Sequence, residues 1–170
     1  MKSSVHTLLA AFLVTLAGCA HPPSTVTPGT TEAEFVSKAG KPTARYEDGQ
    51  DHLLEYALGP WGQKTYMARI DSDGKVISYE QVLTTQKFNA IKINESTKDD
   101  VLRTIGAPTE TSYLSLTQLE VWSYPYKEDG VWNSLMHAHF DKDGIVRKML
   151  NGPDPRFDPT LRVPLGVPYR

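Results

Sequence analysis

The sequence has a single cysteine among its 170 residues, Cys19. A chain with one thiol cannot form an internal disulfide, so the stability of the folded part has to come from a hydrophobic core. The sequence also lacks an excess of positive charge, since 18 lysine and arginine residues stand against 20 aspartate and glutamate residues, for a net charge of −2. We therefore expect no nucleic acid partner and no polybasic attraction to an anionic leaflet.

Motifs for catalysis are also missing. The sequence has no Gly-x-Ser-x-Gly elbow and no phosphate-binding glycine loop. His137 and His139 alternate along one predicted strand, so both face the same side and two imidazoles could share a metal. Spacing identifies no third ligand, and the alternative is two histidines on a half-exposed strand face. Asp-x-Asp-Gly stretches at 71–74 and 141–144 lack the closing glutamate of a calcium loop and predict tight turns. We predict no enzyme, no cofactor, no metal and no small-molecule substrate.

Residues 1–18 are predicted to be an export signal. Lys2 gives a positive start, and the apolar run that follows is too short to span a bilayer as a mature helix. The run ends in Leu16-Ala17-Gly18-Cys19, which resembles the lipobox of bacterial lipoproteins. That resemblance implies cleavage before Cys19 and acylation of its sulfur and new amino terminus. The alternative is an ordinary secretory signal that contains a cysteine.

The residues after Cys19 indicate where the anchored protein resides. Ala20 follows the cysteine, and in lipoproteins of two-membrane bacteria this resemblance implies sorting to the outer membrane. Two or more acyl chains hold a protein stably at a bilayer. Residues 19–29 contain little that packs, which predicts an extended tether. We therefore expect a protein anchored in the outer membrane through its N-terminal lipid and facing the periplasm.

The chain uses one stretch twice. Residues 31–43 (TEAEFVSKAGKPT) reappear as residues 97–109 (TKDDVLRTIGAPT). In each copy a threonine and an acidic residue have capping-box spacing, and apolar residues follow at helical spacing. Gly40 and Gly106 stand where a helix end requires a positive φ, and Pro42 and Pro108 prevent continuation. Each copy therefore predicts a short helix with a defined start and end.

After each helix the apolar residues alternate with polar ones in segments that are bounded by turn signals. Three strands are therefore predicted after each helix. This pattern predicts an α+β fold of two tandem helix-plus-three-strand units, residues 30–84 and 85–150. Phe88, Ile91 and Ile93 are predicted to connect the units as a strand end that leads into the second helix.

The order of these motifs resembles the BamE (SmpA/OmlA) family of outer-membrane lipoproteins. The shared features are Gly29-x-Thr31 before the first helix, Gly-x-Pro after it, and a later strand with Trp122-x-Tyr124. Two units in tandem also resemble the β-lactamase inhibitory protein, which shares that fold. The second unit departs from the pattern, with Glu-Ser-Thr at 95–97. The resemblance implies short helices packed on one face of an antiparallel sheet, the other face open to a partner, and a binding role.

The C-terminal stretch, residues 151–170, is rich in proline. Its prolines exclude a central strand and an uninterrupted helix. Two interpretations stay open: a disordered tail, or an extended arm laid over a surface by apolar residues such as Phe157 and Leu165.

Aromatic residues supply the candidate binding surface. Trp61 and Trp132 fall in corresponding turn regions, where tryptophan is hard to bury, whereas Tyr66 and Tyr124 lie on strands, where a core role is the alternative. Tryptophan is enriched where one protein anchors another. We predict that these four residues bind a partner and that both tryptophans are at least partly exposed.

The expected function is that of a protein-binding scaffold or assembly factor for envelope proteins. The alternative is an inhibitor or sensor module that binds a periplasmic enzyme or receptor through its open sheet face.

Overall fold

Each copy of the repeated stretch forms a helix, and four strands follow each helix. The computed structural model describes residues 26–59 and 61–157. The first half contains α1 (Glu32–Ala39), β1 (Ala44–Asp48), β2 (Asp51–Leu58), β3 (Lys64–Ile70) and β4 (Val76–Gln81). Helix α2 (Thr85–Ala90) leads into the second half, which contains α3 (Lys98–Ile105), β5 (Glu110–Leu114), β6 (Leu119–Glu128), β7 (Trp132–Phe140) and β8 (Val146–Pro153). A 3-10 turn at Pro155–Phe157 ends the described chain.

The predicted ends of α1 and α3 are confirmed. Thr97 accepts a hydrogen bond from the Asp100 backbone N–H at 3.2 Å, and the Asp100 carboxylate accepts one from the Thr97 backbone N–H at 2.8 Å. Both helices end at a glycine with positive φ, 86° at Gly40 and 82° at Gly106. In α1 the Glu34 carboxylate instead bonds Lys38, at 2.7 Å.

The α+β class is confirmed, but three strands per unit is wrong. In the described residues each unit has a four-stranded antiparallel sheet: sheet 1 in the order β1-β2-β3-β4 and sheet 2 in the order β5-β6-β7-β8. The additional strands, β1 and β5, are edge strands. None of their residues is fully buried, so the sequence carries no apolar alternation that marks them as strands.

The connection between the units is a helix, and not the predicted strand end. Phe88 lies on helix α2, whose first turn is capped by Thr84 accepting from the Lys87 backbone N–H at 3.2 Å. A six-residue helix is too short to show a helical period in the sequence. Only the threonine cap marks it.

The C-terminal stretch begins as part of the sheet. Residues 151–153 complete β8, and Pro153 is tolerated there because β8 is an edge strand. The residues from 158 onward lie outside the described part of the chain, so the tail-or-arm question is open there. The export signal and Cys19 also lie outside it, as does most of the tether.

The two units repeat their internal hydrogen bonds. The Tyr56 hydroxyl donates to the Gly40 carbonyl at 3.2 Å, and the Tyr124 hydroxyl donates to the Gly106 carbonyl at the same distance. Asp71 and Asp141 each accept from two backbone N–H groups of the tight turns that follow β3 and β7. The repetition seen in the sequence is therefore a repetition of structure, and both Asp-Gly stretches form the predicted turns.

Helices and sheets are stacked in alternating layers. Helix α1 covers one face of sheet 1 through a buried cluster that includes Phe35 and Ile70. Helices α2 and α3 cover one face of sheet 2 through a second cluster that includes Phe88, Val101 and Phe140. The polar side of α3 turns towards sheet 1, where Arg103 lies 3.9 Å from Asp48.

The second face of sheet 1 is closed, contrary to the expectation that each unit leaves one sheet face open. Leu53, Met67 and Val82 form a buried cluster on this face. They also line a cavity together with α3 residues such as Arg103. Only in sheet 2 does the face opposite the helices lack a described helix packed on it. Which sheet face is free depends on how the two units pack on each other. The sequence of one unit does not show this packing.

The glycine that ends α3 is held in a crowded position, which gives a first prediction. A Cβ at Gly106 would lie 2.9 Å from Oε2 of Glu55 and 3.1 Å from Cγ2 of Thr65, whereas a Cβ at Gly49 would meet nothing within 4 Å. Both glycines have a positive φ, so both alanine variants carry backbone strain of about 1–3 kcal/mol, and the ψ of −169° at Gly106 places it in a region that is essentially restricted to glycine. Overpacking adds roughly 1–3 kcal/mol at position 106 alone. Denaturant midpoints should therefore fall further for Gly106→Ala than for Gly49→Ala, and equal losses would contradict this account.

Candidate functional site

Both turn-region tryptophans are exposed, as predicted. Trp61 is 53% exposed in the loop between β2 and β3, and Trp132 is 68% exposed at the start of β7. Gly59 and Gly62, on either side of Trp61 in the sequence, both have positive φ angles, which glycine adopts without strain. Val131, beside Trp132, is 64% exposed. The loops thus present large apolar side chains to solvent.

A hydrogen bond joins the two tryptophan loops. Nε2 of Gln63 donates to Oδ1 of Asn133 at 2.8 Å, although the residues are 70 positions apart. Gly62 also approaches the Thr109 side chain so closely that a Cβ at position 62 would collide with it. Both loops therefore lie at one end of the molecule, which we call the tryptophan end (the loops at 59–63 and 129–133). The opposite end, formed by the turns at 71–75 and 141–145, is called the turn end.

Arg156 and Phe157, which follow β8, also lie at the tryptophan end. The ring of Phe157 meets that of Trp61 edge-on with centroids 6.1 Å apart, and the guanidinium of Arg156 lies 5.6 Å from the centre of the Trp61 ring. Arg156 is held by Asp154, with Nη2 to Oδ2 at 2.6 Å. Burial opposes ionisation of Asp154, yet the hydrogen bonds from Arg156 keep the pKa of this carboxyl below its ordinary value. Asp154 therefore acts as a buried counter-ion that orients Arg156.

Sequence reasoning missed Asp154 and Arg156. They lie in the proline-rich stretch, which was interpreted as a tail or an arm. The available signal was the Asp-Pro-Arg order, since an aspartate before a proline favours a turn. In the structure the Asp154 carboxylate accepts from the backbone N–H of Arg156 at 3.0 Å, which forms such a turn.

The prediction that Tyr124 binds a partner is wrong. Tyr124 is only 1% exposed and packs in the core beneath α2 and α3. Tyr66 is half-buried and stacks on Tyr79 with ring centroids 5.1 Å apart, on the α1 side of sheet 1. Alternation along a strand tells which residues share a face, but it does not tell which face the helix covers. Neither tyrosine joins the tryptophan loops.

The free face of sheet 2 carries the two histidines. Nδ1 of His137 lies 2.9 Å from Oγ of Ser123, and His139 is buried to 7% exposure. Burial lowers the pKa of His139, and the neighbouring His137 and Lys148 lower it further. Lys148 pairs directly with His139 in the strand register. The positive charge of Lys148 opposes both protonation of the ring and the approach of a cation.

Apolar residues surround the histidines on this free face. Val121 pairs with His139 and Leu150 pairs with His137, while Leu135 lies nearer the tryptophan end. There, residues 154–156 and Pro125 help to line a small cavity of about 160 Å³. The free face therefore has an apolar strip in which Leu150 is exposed and Leu135 and His137 are half-buried, whereas Val121 and His139 are buried.

A charged cleft between the units is a second concave feature. It encloses about 340 Å³ between sheet 1 and helices α2 and α3. Asp48 lies at its centre, 2.6 Å from Nη2 of Arg69 and 3.9 Å from Nε of Arg103. Lys87 bonds Glu80 at 2.7 Å across the same cleft. These ion pairs join β1 and β3 to each other and to α3, which is a structural role.

The described residues contain neither a metal-binding cluster nor a membrane-spanning helix. Within residues 26–59 and 61–157, no cluster of three or more His, Cys, Asp or Glu side chains has the arrangement of a metal site. No helix in that part of the chain combines the length and apolar character needed to cross a bilayer.

Comparisons with protein-family models, with curated proteins and with solved structures give no match for this chain. The candidate site therefore has to be argued from its own residues. The resemblance to the BamE family stays a prediction from sequence motifs.

Proposed function

We propose that this chain is a lipid-anchored periplasmic protein of the outer membrane that acts as a binding scaffold or assembly factor for envelope proteins. The observation that carries the proposal is the pair of exposed tryptophans, 53% and 68% exposed, on loops joined by a hydrogen bond. The anchor is inferred from the lipobox-like residues that end in Cys19. The BamE-like order of motifs supports the same class of protein.

The geometry of the tryptophan end favours tight contact with a partner. Binding costs conformational freedom wherever side chains and loops become ordered, so a surface that is already ordered loses less. Trp61 is braced by Phe157 and Arg156, and the Gln63–Asn133 hydrogen bond fixes the two loops relative to each other. Exposed tryptophan beside an oriented arginine is the composition that dominates binding energy in protein interfaces.

A second function is favoured by the free face of sheet 2. An inhibitor or sensor module would cap a periplasmic enzyme or receptor with this face, whose apolar strip includes Leu135 and Leu150. Co-purification from detergent-solubilised envelope separates the two functions. Integral outer-membrane proteins support the scaffold, whereas a soluble periplasmic enzyme supports the inhibitor. Neither function requires a cofactor, a small-molecule substrate or nucleic acid.

The anchor gives the second prediction. Cys19 is the only cysteine, so Cys19→Ser removes the only sulfur that an acyl chain could modify. We expect this variant to move from the membrane fraction to the soluble periplasm, or to remain unprocessed, because one residue carries all the acyl chains. The measurement is fractionation after washing with high salt, with Ser37→Ala as a matched control at an exposed site on α1. Unchanged tight membrane association of Cys19→Ser would falsify the lipoprotein proposal.

A further inference from the structure

The hairpin tip between β5 and β6 exposes more apolar surface than its equivalent in the first unit. Leu116 is 102% exposed, Tyr113 61% and Leu114 43%. The turn is ordered, because the Thr117 backbone N–H donates to the Leu114 carbonyl at 3.2 Å. Its conformation directs Leu116 fully into solvent. None of the residues at 113–118 carries a charge.

The equivalent tip in the first unit has the opposite character. It consists of Gly49 and Gln50 between Asp48 and Asp51, and both aspartates bond Arg69, at 2.6 and 3.1 Å. The same position in the same fold is therefore polar in one copy and apolar in the other. Asp48 of the first tip belongs to the ion pairs of the charged cleft, whereas Tyr113, Leu114 and Leu116 are exposed, which indicates an external contact for the second tip.

The position of this tip identifies the contact. Leu119 pairs with Leu114, and the next residue, Glu120, pairs with Phe140 at the end of β7 that precedes the turn at 141–145, so the tip belongs to the turn end. The chain also enters the fold at the turn end, where the Gly29 backbone N–H donates to the Val76 carbonyl at 2.9 Å. Cys19 precedes Gly29 by ten residues, which span at most about 35 Å. The anchor therefore keeps the turn end, where the chain enters the fold, within about 35 Å of the membrane.

We propose that the tip at 113–118 is a second membrane contact, which inserts Leu116 and its neighbours into the interfacial layer of a lipid bilayer. The proposal rests on the lipid anchor of the proposed function. A tip without charge fits a neutral or zwitterionic surface, where apolar side chains leave water without needing anionic lipid. The anchor supplies a high local concentration, so a weak contact suffices to orient the domain. The tryptophan end then points away from the bilayer.

The test imposes the anchor so that natural acylation is not required. The chain from residue 19 onward, with Cys19→Ser and an N-terminal hexahistidine segment, is held on phosphatidylcholine vesicles that contain a nickel-chelating lipid. Ser115→Cys then supplies the single thiol for an environment-sensitive dye. On vesicles the emission should shift to shorter wavelength, and nitroxide-bearing lipids should quench roughly half of it or more, because interfacial groups lie about 5–10 Å deep.

Two matched variants decide the result. Leu116→Gln in the same labelled protein should reduce the quenching several-fold while the melting temperature is unchanged, since the side chain is fully exposed. A dye at Gln50→Cys, on the polar tip of the first unit, should be quenched little. Equal quenching at 115 and 50, or quenching that Leu116→Gln leaves unchanged, would overturn the proposal and leave the tip to a protein partner. If the natural protein carries no lipid anchor, the Cys19→Ser fractionation would show it, whereas this vesicle experiment would give the same result.

Discussion

Replacing Glu55 by alanine is expected to lower the free energy of unfolding by about 3 kcal/mol, because several buried polar groups lose their partner at once. Glu55 is 1% exposed. Its carboxylate accepts from the Tyr46 hydroxyl at 2.5 Å and from the Ala107 backbone N–H at 3.0 Å. The first donor belongs to unit one and the second to unit two, so this carboxylate joins the units. Chemical denaturation of the variant and the parent gives the measurement.

Two further variants separate the effect of the lost hydrogen bonds from the effect of the cavity that alanine would leave at position 55. Glu55→Gln keeps the shape and one acceptor oxygen, so it should lose less than alanine. Tyr46→Phe removes one donor and should cost about 1 kcal/mol, with most of that loss absent in the Glu55→Ala background. Burial of Tyr46 and its hydrogen bond to Glu55 raise the pKa of this phenol, so it remains a donor across the neutral range. Additive losses in the double variant would show that the two residues do not act together.

The control for this set is Glu47→Ala on the neighbouring strand. The Glu47 side chain is 72% exposed and pairs with Arg45 at 3.1 Å. Exposed ion pairs contribute little, so a change within about 0.5 kcal/mol is expected. A loss at Glu47 as large as that at Glu55 would mean that charge, and not burial between the units, explains the effect.

Glu55 also shows where prediction from the sequence ends. Leu53, Leu54, Glu55 and Tyr56 are consecutive, and a strand with one covered face would turn Glu55 to solvent. The structure buries it because helix α3 of the following unit packs over that face, and its terminal residues reach the carboxylate. Such a contact depends on how the two units dock. No periodicity within either unit encodes that docking.

Helices α1 and α3 were predictable because their signals are local. Capping residues, apolar spacing, a terminal glycine and a proline all lie within 13 residues of the repeated stretch, and each acts on neighbouring backbone. Strands β1 and β5 were missed because an edge strand needs little burial, and its hydrogen bonds go to a distant partner. Tyr124 was misplaced for another reason, since alternation along β6 does not tell which face the helices cover, whereas the loop tryptophans lie in the turn regions outside the covered faces.

Removal of either loop tryptophan is expected to weaken partner capture by about 2 kcal/mol or more, which is roughly a 30-fold loss of affinity. Trp61 and Trp132 are both more than half exposed, so truncation leaves little cavity in the core. A buried tryptophan changed to alanine would instead cost about 3–5 kcal/mol of stability. We therefore expect Trp61→Ala and Trp132→Ala to melt close to the parent. Trp61→Ala should melt slightly lower, because its ring contacts Phe157.

The measurement pairs melting temperature with capture from detergent-solubilised envelope, for each variant and for Ile77→Ala. Ile77 is also a large exposed apolar residue, at 46%, but it follows the turn at 71–75 and lies away from the tryptophan loops. Its variant should capture the partner normally, because apolar exposure alone does not make a binding residue. Variants at 61 and 132 that melt far below the parent would place these residues in the fold and remove the proposed surface. Normal melting with full capture would move the binding surface elsewhere, and the free face around Leu135 and His137 would then be the next surface to substitute.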